Sequence, residues 1–224
     1  MKNILITAPT EMEIKPFEER LGAIARPAKK GRYHLGSLEI EIRSTGIGNT
    51  ITAFNMARLF HEKYPDLCIQ AGIAGSFDPE LKIGELVQLR SDQFGFWGAR
   101  DKDDSPISVF ELGLVDPDQF PFKDTKLVNS TAPLPNIKEV SCVTVDAATG
   151  SERSISEIKS TYPADIETME SAAFMYSCLV TKRPFHCIRS ISNYIEPRDR
   201  SKWEIEMAVK NLSEKLLNII TQWQ

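Results

Sequence analysis

The sequence predicts an α/β fold in which buried strands alternate with helices. Apolar runs with few charges, such as Asn3 to Ala8 and Phe185 to Ser192, are typical of strands buried on both faces. Segments with helical periodicity lie between these apolar runs, and glycines follow two of the predicted strands. Because no repeat, low-complexity tract or composition break divides residues 1–224, we expect a single domain with a large core.

Caps, alternation and turns predict the order of the elements. Thr10-Glu-Met-Glu13 resembles a capping box, which predicts a helix to about Leu21. Alternation on both sides of Gly36-Ser37 predicts a hairpin. Further strands are predicted at Arg32 to Leu35, Leu38 to Ser44, Leu67 to Ala74, Glu85 to Gln93 and Glu139 to Val145, and further helices at Asn49 to Tyr64 with Asn49 as N-cap, at Ser154 to Tyr162 with the capping box Ser154-Ile-Ser-Glu157, and at Lys202 to Trp223. Gly95 to Leu134 shows no clear period, and loops of that length are usually functional or mobile.

Composition excludes several classes of function. The net charge is −4 with scattered Lys and Arg, which does not indicate nucleic-acid binding. No apolar run approaches the roughly 20 residues of a membrane span. The four cysteines lie far apart in apolar segments, which is typical of reduced core residues in a cytoplasmic protein: Cys68, Cys142, Cys178 and Cys187. The three histidines show no metal-ligand spacing.

A short buried strand followed by a helix is predicted over Asp165 to Val180. The expected inward side chains of the helix are Ala172, Ala173, Met175, Tyr176 and Leu179. The acidic pair Glu167 and Glu170 precedes this helix, at a junction where ligands usually bind in α/β folds. A carboxylate seldom enters a core without a partner, which favours a site at Glu170. Alternatively, Glu170 only stabilises the positive end of the helix, an effect of about 0.3–1 kcal/mol.

Glycines and polar residues at strand ends indicate a ligand site. Gly46-Ile-Gly48 and the segment Gly72 to Gly75 follow strands, where glycine lets the backbone come close to a ligand, although tight turns also need glycine. Glu13, Glu170 and Asn193 are polar residues in apolar surroundings. Two carboxylates and an amide at sheet termini form a plausible set for acid–base catalysis and recognition.

Five segments in this order resemble the purine nucleoside phosphorylase and nucleosidase superfamily, over nearly the whole chain. They are Gly46-Ile-Gly-Asn49, Gln70-Ala-Gly-Ile-Ala-Gly75, Lys82-Ile-Gly-Glu-Leu-Val87, Thr168-Met-Glu170 and Arg189-Ser-Ile-Ser-Asn193. The resemblance implies a three-layer α/β/α domain around a mixed twisted sheet. Within the superfamily, the segment from Asn193 to Trp203 most resembles the futalosine hydrolases of the alternative menaquinone pathway. The implied activity is hydrolysis of the N-glycosidic bond of futalosine, which releases hypoxanthine and dehypoxanthine futalosine.

The resemblance implies roles for the polar residues. Glu13 matches the family's water-activating carboxylate, and Glu11 is an alternative because this segment is one residue longer than the nucleosidase pattern. Glu170 would accept hydrogen bonds from the ribose hydroxyls. Met169 would pack beneath the sugar or belong to the core. Gly75 and Thr168 are expected to line the same substrate site.

Asn193 bears on the choice of base. The adenine-specific nucleosidases have an Asp there, whereas an amide can donate to an oxygen and also meet a ring nitrogen, which suits a 6-oxopurine. Because a site built for one hydrogen-bonding group rejects its analogue strongly, Asn193 favours futalosine over methylthioadenosine or adenosylhomocysteine. It would act as a catalytic residue at the base.

A hydrolase and a phosphorylase differ in their nucleophile, which is water in the first and phosphate in the second. A phosphorylase needs arginines beside the ribose to hold phosphate. The loop Thr7 to Thr10 has none, and Arg43 fits a solvated strand face as readily. Water is therefore favoured, with a phosphorylase as the alternative. A non-catalytic binding protein on this fold is a third alternative, disfavoured because both acids persist.

The benzoate end of futalosine predicts a further subsite. Phe94, Phe96 and Trp97 are candidates for an aromatic wall, or for a dimer interface, where aromatic residues are enriched. Arg198 or Arg200 would pair with the carboxylate, or would form part of a charged helix start. The family implies a homodimer or higher homo-oligomer, and neither a cofactor nor a metal is implied.

Overall fold

A computed structural model describes residues 1–29 and 31–223 of the chain. Within these residues, eleven strands form one mixed sheet in the order β2-β3-β4-β1-β5-β12-β11-β6-β10-β9, with β13 paired to both β5 and β6. The strands are β1 Lys2–Ala8, β2 Arg26–Lys29, β3 Arg32–Leu35, β4 Leu38–Ser44, β5 Leu67–Ser76, β6 Leu86–Phe94, β7 Gly98–Arg100, β8 Pro106–Ser108, β9 Phe122–Lys123, β10 Lys126–Val128, β11 Lys138–Thr144, β12 Ile166–Thr168 and β13 Phe185–Tyr194. The helices are α1 Glu11–Gly22, α2 Asn49–Glu62, α3 Glu152–Thr161, α4 Ser171–Val180 and α5 Ile205–Thr221.

Helices cover both faces of the sheet, so the predicted α/β fold is confirmed as a large mixed sheet flanked by helices. Successive strand residues point to opposite faces. In β1, Ile4 and Ile6 therefore join the apolar cluster beneath α1 and α5, whereas Leu5 joins the cluster beneath α2 and α4. The near-continuous apolar pattern of β1 follows from burial on both sides.

The strand β13 connects the two halves of the sheet. It runs parallel to β5 along its whole length and antiparallel to β6 over three residues. A register shift between Ile191 and Asn193 places Asn193 beside Gly75 of β5. On the other edge of β5, the antiparallel strand β12 places Glu167 opposite the same glycine.

Most predicted elements occur within a few residues of their expected bounds. The capping box at Thr10 and Glu13 is present, and the hairpin joins β3 to β4. The four cysteines are buried and free. The segment 95–134 contains four short strands, β7 to β10, of which β9 and β10 extend the main sheet. Strand β2 was not predicted.

Two predicted caps are wrong. Gly48, with φ of 85°, is the N-cap of α2, because the side chain of Asn49 instead donates to Asp146 at 3.1 Å. The capping box of α3 begins at Ser151, and Ser154 is its third helical residue. The third helical residue of a typical capping box is Glu or Gln, whereas here it is a serine, so the sequence pattern did not identify this box.

Two further expectations are corrected in the same regions. Tyr176 was expected inside, but it is 39% exposed, because it lines a cavity together with Phe94 and Phe122, whose rings it contacts. The last helix begins at Ile205, after a single 3-10 turn at Arg200–Lys202.

Candidate active site

A cavity of about 270 Å³ lies where β1 and β13 end and where the last residues of β5 and β12 meet. It brings together seven of the eight site residues predicted from the sequence: Glu13, Gly75, Thr168, Met169, Glu170, Asn193 and Arg198. Phe94 is the exception, since it lines a separate cavity. Glu11 is exposed at the start of α1 and does not line this cavity.

Glu13 is held at the first turn of α1 by three hydrogen bonds. Its Oε2 accepts the backbone N–H of Thr10 at 3.1 Å and the Thr10 hydroxyl at 2.6 Å. Its Oε1 accepts the backbone N–H of Ile73 from β5 at 3.1 Å. Because both oxygens are fixed, the carboxylate has one orientation at the cavity wall. The residue is only 5% exposed.

Glu170 occupies the N-cap of α4 without capping it through its side chain. Its Oε1 instead accepts the backbone N–H of Gly48 from the start of α2, at 3.0 Å. Burial raises the pKa of this carboxyl, and the hydrogen bond from Gly48 together with the charge of Arg189 opposes the increase. The interpretation that Glu170 only favours the helix terminus does not account for this contact with another helix.

A fully buried arginine, Arg189, lies behind the two carboxylates. Its guanidinium donates to the side-chain and backbone oxygens of Gln70 and to the backbone oxygen of Ile188, at 3.0 Å for the last. In the described part of the chain it forms no ion pair within 4.0 Å. Its charge lies close enough to favour the ionised forms of Glu170 and of Asp92. The motif was recognised in the sequence, but nothing in a single β-strand pattern shows that an arginine has no carboxylate partner.

A buried hydroxyl network anchors the segment that carries Met169 and Glu170. Ser171 donates to Asp92 Oδ2 at 2.6 Å, and Thr144 donates to the same oxygen at 2.8 Å. Thr168 is hydrogen-bonded to Ser171, so both flanks of the segment are tied to Asp92. Burial raises the pKa of Asp92 to about 6, against the opposing hydrogen bonds of Ser171 and Thr144. Asp92 was not predicted, because a lone acid in strand β6 carries no signal of its burial.

Asn193 and Glu167 lie in one row across three strands, with Gly75 between them. Asn193 Nδ2 leans over Gly75, since a Cβ added there would lie 3.2 Å from it. Its Oδ1 accepts the Ser192 hydroxyl at 2.8 Å. Glu167 is 7% exposed, and its Oε1 accepts the backbone N–H of Thr149 at 2.9 Å.

Arg198 and Trp203 form the outer wall of the cavity. The guanidinium carbon of Arg198 lies 5.0 Å from the ring centroid of Trp203, within the range of a cation–π contact. The backbone N–H of Arg198 donates to Gly150 at 3.0 Å. In the described part of the chain Arg198 forms no ion pair. Its neighbour Asp199 caps the 3-10 turn that begins at Arg200, so the charged helix start of the alternative is present without local pairing of Arg198.

The aromatic residues Phe94, Phe96 and Trp97 line a second cavity of about 530 Å³, together with Phe122 and Tyr176. The two cavities are neighbours along the chain. Asn49 and Asp146, which are hydrogen-bonded to each other, line the second cavity, whereas Ile47 and Ala148, two residues from each, line the first.

The first cavity therefore offers two fixed carboxylates with a buried positive charge behind them, and an amide that lies in the same row as a third acid. Carboxylates of this kind can activate water and stabilise developing positive charge. Within residues 1–29 and 31–223, no cluster of three His, Cys, Asp or Glu side chains is arranged to hold a metal ion. In the same residues, no helix is long and apolar enough to cross a membrane.

Comparisons with known proteins give consistent matches. Residues 3–222 match the phosphorylase superfamily. A 5'-methylthioadenosine/S-adenosylhomocysteine nucleosidase from Tolumonas auensis is 29% identical over 206 residues, which is 85% of each chain. A futalosine hydrolase from Streptomyces coelicolor is 27% identical over 163 residues, covering 71% of this chain and 68% of its own.

Solved structures show the same fold at lower identity. A futalosine hydrolase mutant from Helicobacter pylori superposes with a TM-score of 0.78 at 18% identity, covering 99% of this chain and all of its own. A 5'-methylthioadenosine/S-adenosylhomocysteine nucleosidase from the same organism also gives a TM-score of 0.78 at 18% identity, with 99% of each chain covered.

Proposed function

The chain belongs to the phosphorylase superfamily, and we propose that it is a nucleosidase that hydrolyses the N-glycosidic bond of futalosine and releases hypoxanthine. The observation that carries this proposal is that Glu13, Glu170 and Asn193, from three distant parts of the sequence, line one cavity. The names of the similar proteins favour a purine nucleoside as substrate.

Glu13 is the proposed general base. Cleavage of an N-glycosidic bond builds positive charge on the ribose, as in the oxocarbenium-like transition states of glycoside hydrolysis. A carboxylate fixed by Thr10 and Ile73 has a lone pair left for a water molecule, which it can orient and deprotonate. The burial of Glu13 and the exposure of Glu11 favour Glu13 for this role.

Glu170 is the proposed ribose ligand. One of its oxygens accepts Gly48 N–H, which leaves the other for the sugar hydroxyls. Met169, partly buried beside it in the cavity wall, supplies an apolar surface for the sugar. The positive charge of Arg189 behind Glu170 favours the ionised form of that carboxyl in a buried site while the ribose becomes positive.

Asn193 is the proposed base ligand. Its amide can donate to the oxygen of a 6-oxopurine, and its position at the bulge of β13 directs it into the cavity. Protonation or hydrogen bonding at the leaving purine lowers the barrier to departure. Arg198, which stacks on Trp203 in the cavity wall, is the proposed partner of the carboxylate at the far end of futalosine. Phe94 lies in the neighbouring cavity, so its contact with the substrate would require the benzoate to reach past Asn49 and Asp146.

The nucleophile is proposed to be water. Arg43 forms an ion pair with Glu41 at 2.6 Å and donates to the Ile42 carbonyl, and it is not among the residues that line the cavity. A 5'-methylthioadenosine/S-adenosylhomocysteine nucleosidase is the second candidate, since the Tolumonas auensis protein carries that name at 29% identity. Of the two candidate nucleosidases, Asn193 favours the one that acts on a 6-oxopurine.

We also propose that the chain forms a homo-oligomer through α2 and α4. These two helices pack side by side. Large apolar side chains on them remain exposed: Ile51 at 52%, Phe54 at 69% and Val180 at 45%. An apolar surface on two adjacent helices would be typical of an interaction site. Size-exclusion chromatography with light scattering tests this, and F54E is expected to give monomers if the proposal holds.

The test of the proposed function is release of free base from futalosine, inosine and methylthioadenosine, each with and without phosphate. The expected result is hypoxanthine from futalosine at a rate that phosphate does not change. Strict dependence on phosphate would identify a phosphorylase, and adenine from methylthioadenosine as the main product would identify the second candidate. Absence of base from all three substrates would refute a nucleosidase.

A further inference from the structure

We propose that Glu167 determines the specificity for 6-oxopurines by accepting a hydrogen bond from the N1–H of the base. This inference rests on the proposed function, because it presumes that the cavity holds a purine nucleoside. It concerns a residue different from Asn193 and a different edge of the base.

The strand register places Glu167 on the base side of the cavity. Glu167 of β12 and Asn193 of β13 both pair with Gly75 of β5, from its opposite edges. Directly paired residues project from the same face of a sheet, and neighbouring strands lie about 4.8 Å apart, so the two Cα atoms are separated by roughly 10 Å. The space over Gly75 is shared by the side chain of Ile195 and the amide of Asn193, whose nearest atoms would lie 2.9 and 3.2 Å from a Cβ at Gly75. Both side chains line the cavity together with Glu167, and Ile195 offers an apolar surface for a base. A flat base held by Asn193 would therefore present another edge to Glu167.

The side chain of Glu167 is buried without a compensating charge. Its two oxygens accept the N–H and the hydroxyl of Thr149, in the loop that precedes α3. In the described part of the chain no Lys or Arg lies within 4.0 Å of it in an ion pair. A buried carboxylate without a cation is costly. An ionised carboxylate has about four lone-pair positions, so two of them are left after the bonds from Thr149, and the residue lines the cavity.

The chemistry of the two purine classes differs at the atoms that this acid would meet. A 6-oxopurine has a donor at N1, which an ionised carboxylate can accept. A 6-aminopurine has an acceptor at N1, so its lone pair would oppose the lone pairs of Glu167. A matched carboxylate therefore favours hypoxanthine twice, by the hydrogen bond it makes and by the repulsion it imposes on adenine. Thr149 holds the carboxylate in one orientation, which a recognition element requires.

A purely structural role makes a different prediction. If Glu167 only ties the 146–151 loop to β12, its loss would lower the activity on every substrate alike. The discriminating quantity is thus the ratio of kcat/KM for futalosine to kcat/KM for its 6-amino analogue, measured on the same enzyme preparation.

The experiment compares wild type, E167Q, E167L and T149V on futalosine and 6-amino-6-deoxyfutalosine, with hypoxanthine and 1-methylhypoxanthine as product inhibitors. Loss of a charge-assisted hydrogen bond is expected to reduce the substrate ratio about ten- to a hundredfold in E167Q and E167L. The loss should fall on futalosine, whereas cleavage of the amino analogue persists and shows that the variants are folded. Wild type should bind 1-methylhypoxanthine at least tenfold more weakly than hypoxanthine, and the two variants should lose this difference. T149V keeps the acid but removes the hydroxyl that orients it, so its ratio should fall between those of wild type and E167Q.

Two outcomes would overturn the inference while leaving the proposed function intact. One is an unchanged ratio in E167Q and E167L, and the other is an equal loss on both substrates. If wild type releases no base, or releases adenine faster than hypoxanthine, then the proposed function fails and this inference fails with it.

Discussion

Gly72 approaches Glu13 so closely that a Cβ at position 72 would lie 3.0 Å from Glu13 Oε1. The same carboxylate oxygen accepts the N–H of Ile73, the next residue along β5. The carboxylate therefore rests directly on the backbone of the strand, and this contact depends on glycine.

Substituting Gly72 by alanine should impair catalysis more than stability. The added methyl would displace the Glu13 carboxylate by a few tenths of an ångström, and a misplacement of about 1 Å can cost 10²-fold in rate. We expect kcat to fall about tenfold or more in G72A, with little change in the melting temperature. G22A is the matched control, since its Cβ would make an ordinary contact with Tyr33 at 3.7 Å. Equal activities of the two variants would contradict this prediction.

Substitution of each acid in turn should show whether Glu13 or Glu11 is the general base. E13Q is expected to lower kcat by about 10²- to 10⁴-fold, the usual contribution of general-base catalysis. E11Q should retain nearly full activity, because Glu11 is exposed outside the cavity. Steady-state kinetics on futalosine give the comparison. T10A measures the capping contribution separately, with an expected cost of about 0.5–2 kcal/mol in unfolding free energy. A larger loss of kcat in E11Q than in E13Q would identify the wrong acid.

Exchange of Asn193 for aspartate should change the preferred base. N193D removes the amide that is proposed to donate to the purine oxygen, while a protonated Asp can still bond a ring nitrogen. We expect kcat/KM for futalosine to fall at least tenfold relative to that for 6-amino-6-deoxyfutalosine. N211D, at an asparagine on α5 that donates to Gly84 away from the cavity, is the control for general effects of the new charge. An identical substrate ratio in wild type and N193D would contradict the role of this amide.

The buried Asp92 should make stability depend on pH. Its pKa is raised from 3.8 to about 6, so the folded protein binds this proton more tightly than the unfolded chain does. The resulting stabilisation is fully present below about pH 4 and is lost as the pH rises through about 6. Relative to D92N, the unfolding free energy of wild type should thus fall by on the order of 3 kcal/mol across this window. Denaturant titrations at pH 4 to 7.5 measure it, and parallel curves for the two proteins would contradict the assignment.

Replacement of Arg198 should affect only substrates with an acidic tail. R198M removes the charge but keeps an unbranched side chain that can still cover Trp203. We expect KM for futalosine to rise about tenfold, as expected for a lost charge-assisted hydrogen bond, with kcat/KM for inosine unchanged. R200M is the control, because Arg200 does not line the cavity. A similar loss on inosine would show that Arg198 supports the cavity wall and not the tail.

The sequence predicted the elements well where burial has a simple period. The strand at Lys2–Ala8 and the cap at Thr10 follow from local rules, and both occur. The strands between Gly95 and Leu134 were missed because they are two or three residues long, too short for alternation to appear. The cap of α2 was wrong because Asn49 has a distant partner, Asp146.

Some residues of the candidate site could likewise be predicted from the sequence, and others could not. Glu13, Glu170 and Asn193 were predicted to converge, and they line one cavity, because each stands near a strand end that the resemblance also marks. The burial of Asp92 and Arg189 was not foreseeable, since it depends on which strands neighbour β6 and β13. Phe94 was grouped with the substrate residues because the benzoate end of futalosine predicts an aromatic wall, and it lies in the neighbouring cavity.

Strand β12 is only three residues long. The segment from Glu167 to Glu170 begins in this strand and places its side chains in three different surroundings. Glu167 turns to the Thr149 loop, Thr168 to the buried hydroxyls behind the sheet, and Glu170 to the glycine turn before α2. A single inserted or deleted residue here would rotate every one of these side chains to the wrong surroundings at once. Natural variants of this enzyme should therefore diversify their substrate range in this segment by replacement of individual residues, while its length stays constant.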